Sequence, residues 1–219
     1  MHTRVLVAGA ATVFMLVAAS GCEGGLFGVG GSGTVVTESR DVSGFSEIDL
    51  AGSGKVLVDV DGTESLVIEA EDNIMPLLTS EVRGGRLELG AKSSISPTTD
   101  IIYRVNAIAL EGVTVAGSGE VTAIGIVAES FDVDISGSGR VEPTGSAGTL
   151  IVEISGSGRY LGEALEAPVG TVRVSGSGEA VVNVTDDLDV DISGSGAVRY
   201  IGEPVVSESI SGSGDITRQ

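Results

Sequence analysis

Phe131-Asp-Val-Asp-Ile-Ser-Gly-Ser-Gly-Arg-Val141 contains the unit from which this chain is built. Val133 and Ile135 stand two apart, so a strand turns both to one side and Asp132 and Asp134 to the other. Gly137-Ser-Gly139 then supplies a corner, and Val141 resumes the apolar side. The unit recurs. From residue 34 on, Gly-Ser-Gly begins at residues 52, 117, 137, 156, 176, 194 and 212, and the last six begin 20, 19, 20, 18 and 18 residues apart. Two positions before the first glycine stand Val115, Ile135, Ile154, Val174, Ile192 and Ile210, and between the apolar positions lie Thr114, Asp134, Glu153, Arg173 and Asp191.

One strand, corner and strand cannot bury its apolar side alone, whereas stacked copies share a continuous core. A repeat of about 18–20 residues without a helical segment points to an all-β fold, a single-stranded parallel β-helix (β-solenoid) with Gly-Ser-Gly corners. The general preference of crossover connections makes it right-handed. At about 4.8 Å per coil, the copies from 117 to 212 span roughly 24 Å. Glycine suits the corner because it adopts backbone angles that side chains resist. The serine hydroxyl is expected to bond locally or to the serine one coil away.

Residues 34–111 are less regular. Phe45-Ser-Glu-Ile-Asp-Leu-Ala-Gly-Ser-Gly-Lys-Val56 is one more copy, Ser65 to Ala70 reads as a strand, and Arg83-Gly-Gly-Arg86 as a hairpin turn. Residues 72–82 are expected to form a short helical turn or a loop, and Ser93 to Asp100 a loop around Pro97. The domain is therefore drawn over residues 34–219. Residues 22–33, rich in glycine, are assigned to a tether. Residues 1–21 read as an export signal, with Arg4 followed by an apolar run too short to span a membrane. Ala19-Ser-Gly-Cys22 is similar to the lipobox of bacterial lipoproteins, with Ala19 where leucine is commoner, and this implies lipidation of Cys22, the one cysteine of the chain.

The 219 residues carry a formal charge of −19. Losing the signal removes Arg4 from the 12 basic residues and none of the 31 acidic ones, which leaves −20. Such a surface repels nucleic acid and anionic headgroups. The one histidine, His2, lies in the signal, so the exported part holds neither His nor a second thiol. That argues against His-based triads, cysteine nucleophiles and ordinary zinc sites. Carboxylate chemistry remains. Asp132 and Asp134 recur as Asp189 and Asp191, yet alternation places each pair on the outward, solvated side. The residue after each corner varies among Glu120, Arg140, Arg159, Glu179, Ala197 and Asp215, which argues against a repeated calcium site. No catalytic, cofactor or metal site is therefore assigned. Arg159-Tyr-Leu-Gly-Glu163 is echoed by Arg199-Tyr-Ile-Gly-Glu203, so Tyr160 and Tyr200 are the candidate ligand-binding pair, two rings for stacking on a sugar.

Val42-Ser-Gly-Phe-Ser-Glu-Ile-Asp-Leu-Ala-Gly-Ser-Gly-Lys-Val56, then Leu66-Val-Ile-Glu-Ala-Glu-Asp-Asn73, then Leu87-Glu-Leu-Gly90 and the repeated Ser-Gly-Ser-Gly resemble the putative auto-transporter adhesin, head GIN domain family of bacterial envelope proteins. The resemblance covers about residues 35–216. It implies a β-helical fold and export, commonly as a lipoprotein, and carries over no catalytic residues. The chain is thus expected to be a non-catalytic, lipid-anchored envelope scaffold or adhesin-like binding module facing the periplasm or cell surface. Its partners would be the membrane, through the N-terminal lipid, and an envelope protein or glycan, without nucleic acid. The competing reading is a carbohydrate-active β-helix enzyme or glycan-binding protein. Self-association through the open solenoid end near Ile210 to Gln219 is a further expectation, because an uncapped coil exposes pairing groups.

Overall fold

The computed structural model describes residues 28–219, so residues 1–21, read above as an export signal, Cys22 and the first part of the stretch read as a tether lie outside the described residues. The chain enters through β1 (Val29–Gly30), β2 (Val35–Arg40), β3 (Glu47–Gly52), β4 (Lys55–Val60) and β5 (Ser65–Glu71). A 3-10 turn over Met75–Leu77 leads to β6 (Leu78–Arg83), β7 (Arg86–Ala91), β8 (Ile95–Ser96), β9 (Ile102–Ala107) and β10 (Gly112–Gly117). Four long strands follow, β11 (Glu120–Gly137), β12 (Arg140–Gly156), β13 (Arg159–Gly176) and β14 (Glu179–Gly194). Each bends around more than one side of a coil. The described chain finishes with β15 (Ala197–Ile201), β16 (Val205–Gly212) and β17 (Asp215–Arg218).

The result is a parallel β-solenoid of about five turns. Corresponding residues of successive coils lie opposite one another: Val115 faces Leu50 on one side and Ile135 on the other, and the column continues through Ile154, Val174, Ile192 and Ile210. From Leu50 to Ile192 every member of this column is buried, at 0–2 % exposure. A second side begins after the corner with Val56, Val121, Val141, Tyr160, Ala180 and Val198 in one column. Phe131, Leu150 and Leu188 close the section. Each fully buried aliphatic side chain contributes about 1.5–3 kcal/mol, so stability accrues along the column rather than at one centre.

The two corner glycines serve different needs. The first adopts positive φ, +121° at Gly137 and Gly156, and a Cβ on it would lie 2.6 Å from the carbonyl oxygen of the corner one coil away. The second is crowded from inside: a Cβ on Gly139 would lie 2.5 Å from Cγ1 of Val115. The corner serines are exposed, and among the described residues their hydroxyls form no ladder. Register is held by backbone bonds instead, as where Ser138 N–H donates to Gly117 O at 2.8 Å and Ser157 N–H to Gly137 O at 2.8 Å.

The corner at Gly52 stacks directly on the corner at Gly117, although the chain between them passes through β5 to β9. That excursion builds the N-terminal end. β7 and β9 lie parallel to β3 and β4 as one more coil, but β5 and β6 run antiparallel to β9 and β7, and β2 runs antiparallel to β5. This half is β-rich and continuous with the solenoid, and the chain reverses direction at its end. Gly84 and Gly85, both at positive φ, make the hairpin turn between β6 and β7. Arg40 spans this end, its guanidinium donating to Leu78 O at 3.0 Å and Met75 O at 3.2 Å, with Glu38 at 2.8 Å on its other flank.

The last six residues assigned to the tether are docked, not free. β1 pairs parallel with β8, and the binding group is Glu71, the buried charged side chain of the described core at 1 % exposure. Its carboxylate accepts from the Thr98 hydroxyl, from Gly33 N–H at 2.7 Å and from Thr98 N–H at 2.9 Å. A Cβ on Gly31 would collide with that carboxylate, so glycine here allows close approach rather than looseness. The Thr98 hydroxyl above all, with the backbone donors, holds the carboxyl below the usual carboxylate range despite the opposing effect of burial. A depressed native pKa contributes stability above the unfolded value that is lost as pH falls through the native one. Limited proteolysis at residues 28–33 and 94–99 is therefore expected to begin below about pH 4. Glu71→Gln, which turns an amide NH2 toward these donors, should show the same cleavage at neutral pH. Equal resistance of variant and wild type at neutral pH would remove Glu71 from this role.

Candidate functional site

The outward side of the strands preceding the corners forms one long face. Its middle row runs Asp49, Thr114, Asp134, Glu153, Arg173, Asp191, each beside the next. A second row places Asp132 and Asp189 on the same face, two residues earlier in their strands, together with Glu47 and Arg86. Next to the corners a third row is small and polar: Ser136, Ser155, Ser175 and Ser193. Asp132, Asp134, Glu153 and Asp191 are exposed, as strict alternation requires.

Gly112 interrupts the second row between Glu47 and Asp132, and the missing side chain leaves a shallow groove of about 620 Å³. Glu111, Glu129, Asp132, Asp134 and Glu153 rim it, while Arg86, paired with Glu47 at 2.8 Å, supplies the positive charge at one end. Asp49 lies at that end too. Partial burial, and secondarily the neighbouring Glu88 and Asp134, push its carboxyl above the usual range, against the pull of Arg86. Arg173 pairs with Glu153 at 3.3 Å across adjacent coils, so the mixed-sign column expected from the sequence is partly compensated. Exposed pairs of this kind contribute about 0–1 kcal/mol and chiefly shape the charge pattern. Among the described residues no three acidic, His or Cys side chains converge to hold a metal ion.

The structure places the two candidate tyrosines differently. Tyr160 is fully buried in the column of Val141 and Ala180, and burial pushes its phenol upward. Tyr200 is half-buried and sits opposite Val182, two positions further from the corner than Tyr160. The reason is parity. Both tyrosines follow the second corner glycine by an even number of residues, and even offsets point inward. Phe45, Phe131 and Tyr103 are buried as well, so among the described residues the face has no fully exposed aromatic platform. Sequence reasoning missed the contribution of Glu47 and Arg86, which the stacking of β3 and β7 under β10 brings to the same face. The available signal was the copy of the unit at Phe45 to Val56. Cys22 lies outside the described residues.

Solved structures share the fold. A putative adhesin from Bacteroides fragilis superposes with a TM-score of 0.65 at 22 % identity, covering 88 % of this chain and 100 % of that one. A putative lipid binding protein from Parabacteroides distasonis gives a TM-score of 0.59 at 23 % identity, covering 87 % and 99 %. A putative adhesin from Parabacteroides merdae gives 0.55 at 17 %, covering 88 % and 99 %. No curated protein matches the chain. The sequence model of one family matches residues 44–204, which include the corners from Gly52 to Gly194 and the acidic rows between them, so this chain belongs to the putative auto-transporter adhesin, head GIN domain family.

Proposed function

We propose that this chain is a non-catalytic binding module of the bacterial envelope, held at the membrane by a lipid on Cys22, whose acidic face receives a cationic protein surface. The observation that carries this reading is the register of the long face. Carboxylates at Asp134, Glu153 and Asp191 are fixed on backbone-bonded strands, where no loop has to be ordered when a partner docks. A fixed face of net negative charge steers a partner of the other sign and selects among partners. The adhesin description of the family and of two of the solved relatives supports binding rather than turnover. Burial of Tyr160 disfavours a glycan platform, and the exposure of Asp132 and Asp134 on an open face disfavours a sheltered general acid.

The test compares cells carrying the wild-type chain, Cys22→Ala, and a chain with Asp132, Asp134, Asp189 and Asp191 changed to Asn and Glu153 to Gln. A lipid-sized mass increment and membrane retention are expected in the first and third and lost in the second. Attachment to surfaces coated with a basic protein should fall in the neutralised chain and at high salt. Equal attachment by wild-type and neutralised chains would overturn the acidic-face reading. Release of sugars from polysaccharide, abolished by the same substitutions, would favour the enzyme.

A further inference from the structure

The two ends of the solenoid are finished differently. At the N-terminal end β2 and the Arg40 guanidinium cover the last apolar coil. At the other end nothing among the described residues covers β16 and β17. Ile210 occupies the inward column of Ile192 yet is 43 % exposed, against 0 % for Ile192. Ile216, opposite Val198, is only half-buried, against 0 % for Val198. Two charged residues also take inward positions on this coil: Glu208 opposite Val190 and Arg218 opposite Tyr200.

A charge at an inward position on a sheet edge ordinarily blocks pairing with another edge. Here the two blockers have opposite sign and lie at mirror offsets from one corner. Glu208 precedes Ser213 by as many residues as Arg218 follows it, and Ile210 and Ile216 are likewise symmetric about it. A two-fold axis through that corner lays β16 of one copy antiparallel along β17 of the other. It sets Ile210 against Ile216 and Glu208 against Arg218, twice over. Few other edges satisfy both charges, so the pattern excludes random stacking while permitting this one.

We infer that the C-terminal coil is an isologous dimer interface, and that its partner is a second copy of this chain. Within one copy Arg218 bonds Glu203 at 2.8 Å, a pair that leaves Glu208 unmatched until the partner arrives. A closed two-fold contact uses the same patch on both subunits and stops at two. Stacking of the open end on the Arg40-capped end would instead be heterologous and would propagate into filaments. The dimer would give an envelope module two acidic faces pointing away from one junction.

The experiment uses the secreted chain with Cys22→Ala, which removes lipid-driven association and the native thiol. Sedimentation velocity should show a concentration-dependent monomer–dimer equilibrium. Glu208→Arg and Arg218→Glu should each weaken it by about tenfold or more, and the double charge swap should restore it. Ser213→Cys, which places two thiols at the axis about one strand spacing apart, should give a covalent dimer on mild oxidation. Ser138→Cys, a corner of the same kind in mid-solenoid, should not. A monomer across the accessible concentrations, a ladder beyond two, equal cross-linking from both cysteines, or no rescue by the swap would each overturn the inference. The circular dichroism melt of each variant separates loss of pairing from loss of fold.

Discussion

Gly156→Ala should lower the midpoint of thermal unfolding by roughly 5–15 °C, whereas Ser157→Ala, one residue on, should leave it nearly unchanged. The glycine has φ +121°, a region almost closed to side chains, and the added Cβ would lie 2.6 Å from Gly137 O. That oxygen already accepts from Ser157 N–H at 2.8 Å, so the coils must part at the bond that keeps them in register. Backbone strain of about 1–3 kcal/mol and a weakened hydrogen bond worth about 1 kcal/mol combine to about 2–4 kcal/mol. A chain of this size shifts by about 2–4 °C per kcal/mol. Ser157 is exposed, and substitutions of that kind usually stay within about 0.5 kcal/mol. Differential scanning calorimetry of the two variants beside wild type decides the matter. A stable Gly156→Ala chain would mean that the corners are held together by something other than close backbone approach.

Tyr160 should answer oppositely to two substitutions. Tyr160→Ala empties a column position that is fully buried and should cost about 3–5 kcal/mol. Tyr160→Phe should instead stabilise the fold by about 1 kcal/mol, because the hydroxyl it removes is buried without a hydrogen-bond partner. The ring lies over Gly162, whose missing side chain makes room for it, so the phenyl group fits unchanged. Chemical denaturation of both variants measures the pair. Destabilisation by Phe would show that the hydroxyl has a partner, which would reopen a binding role for this residue.

Much of the architecture is legible in the amino-acid sequence. The spacing of the corners marks the coils from Gly117 to Gly214, and alternation around Val133 and Ile135 sorts inward from outward residues. The same parity applied to Tyr160 puts its ring in the core. The echo of Arg-Tyr-x-Gly-Glu is only a likeness between segments, and the geometry of the strand overrides it. Strand parity also assigns Asp132 and Asp134 to the face that carries the functional proposal. The excursion between Gly52 and Gly117 is not legible, because stacking depends on which edge is free in space and leaves no mark on sequence distance.

The coil, its corner and its inward column follow from local spacing and the backbone freedom of glycine, and the sign of the surface follows from composition, so all are encoded locally. How the coil ends is a matter of long-range contacts. Whether β5 and β6 run with or against their neighbours, how Arg40 closes one end, and how Glu71 gathers residues 28–33 with Thr98 all depend on groups distant in the chain meeting around an unpaired edge. A periodic core is encoded residue by residue. Its boundary is set by long-range hydrogen bonds, which no local pattern announces.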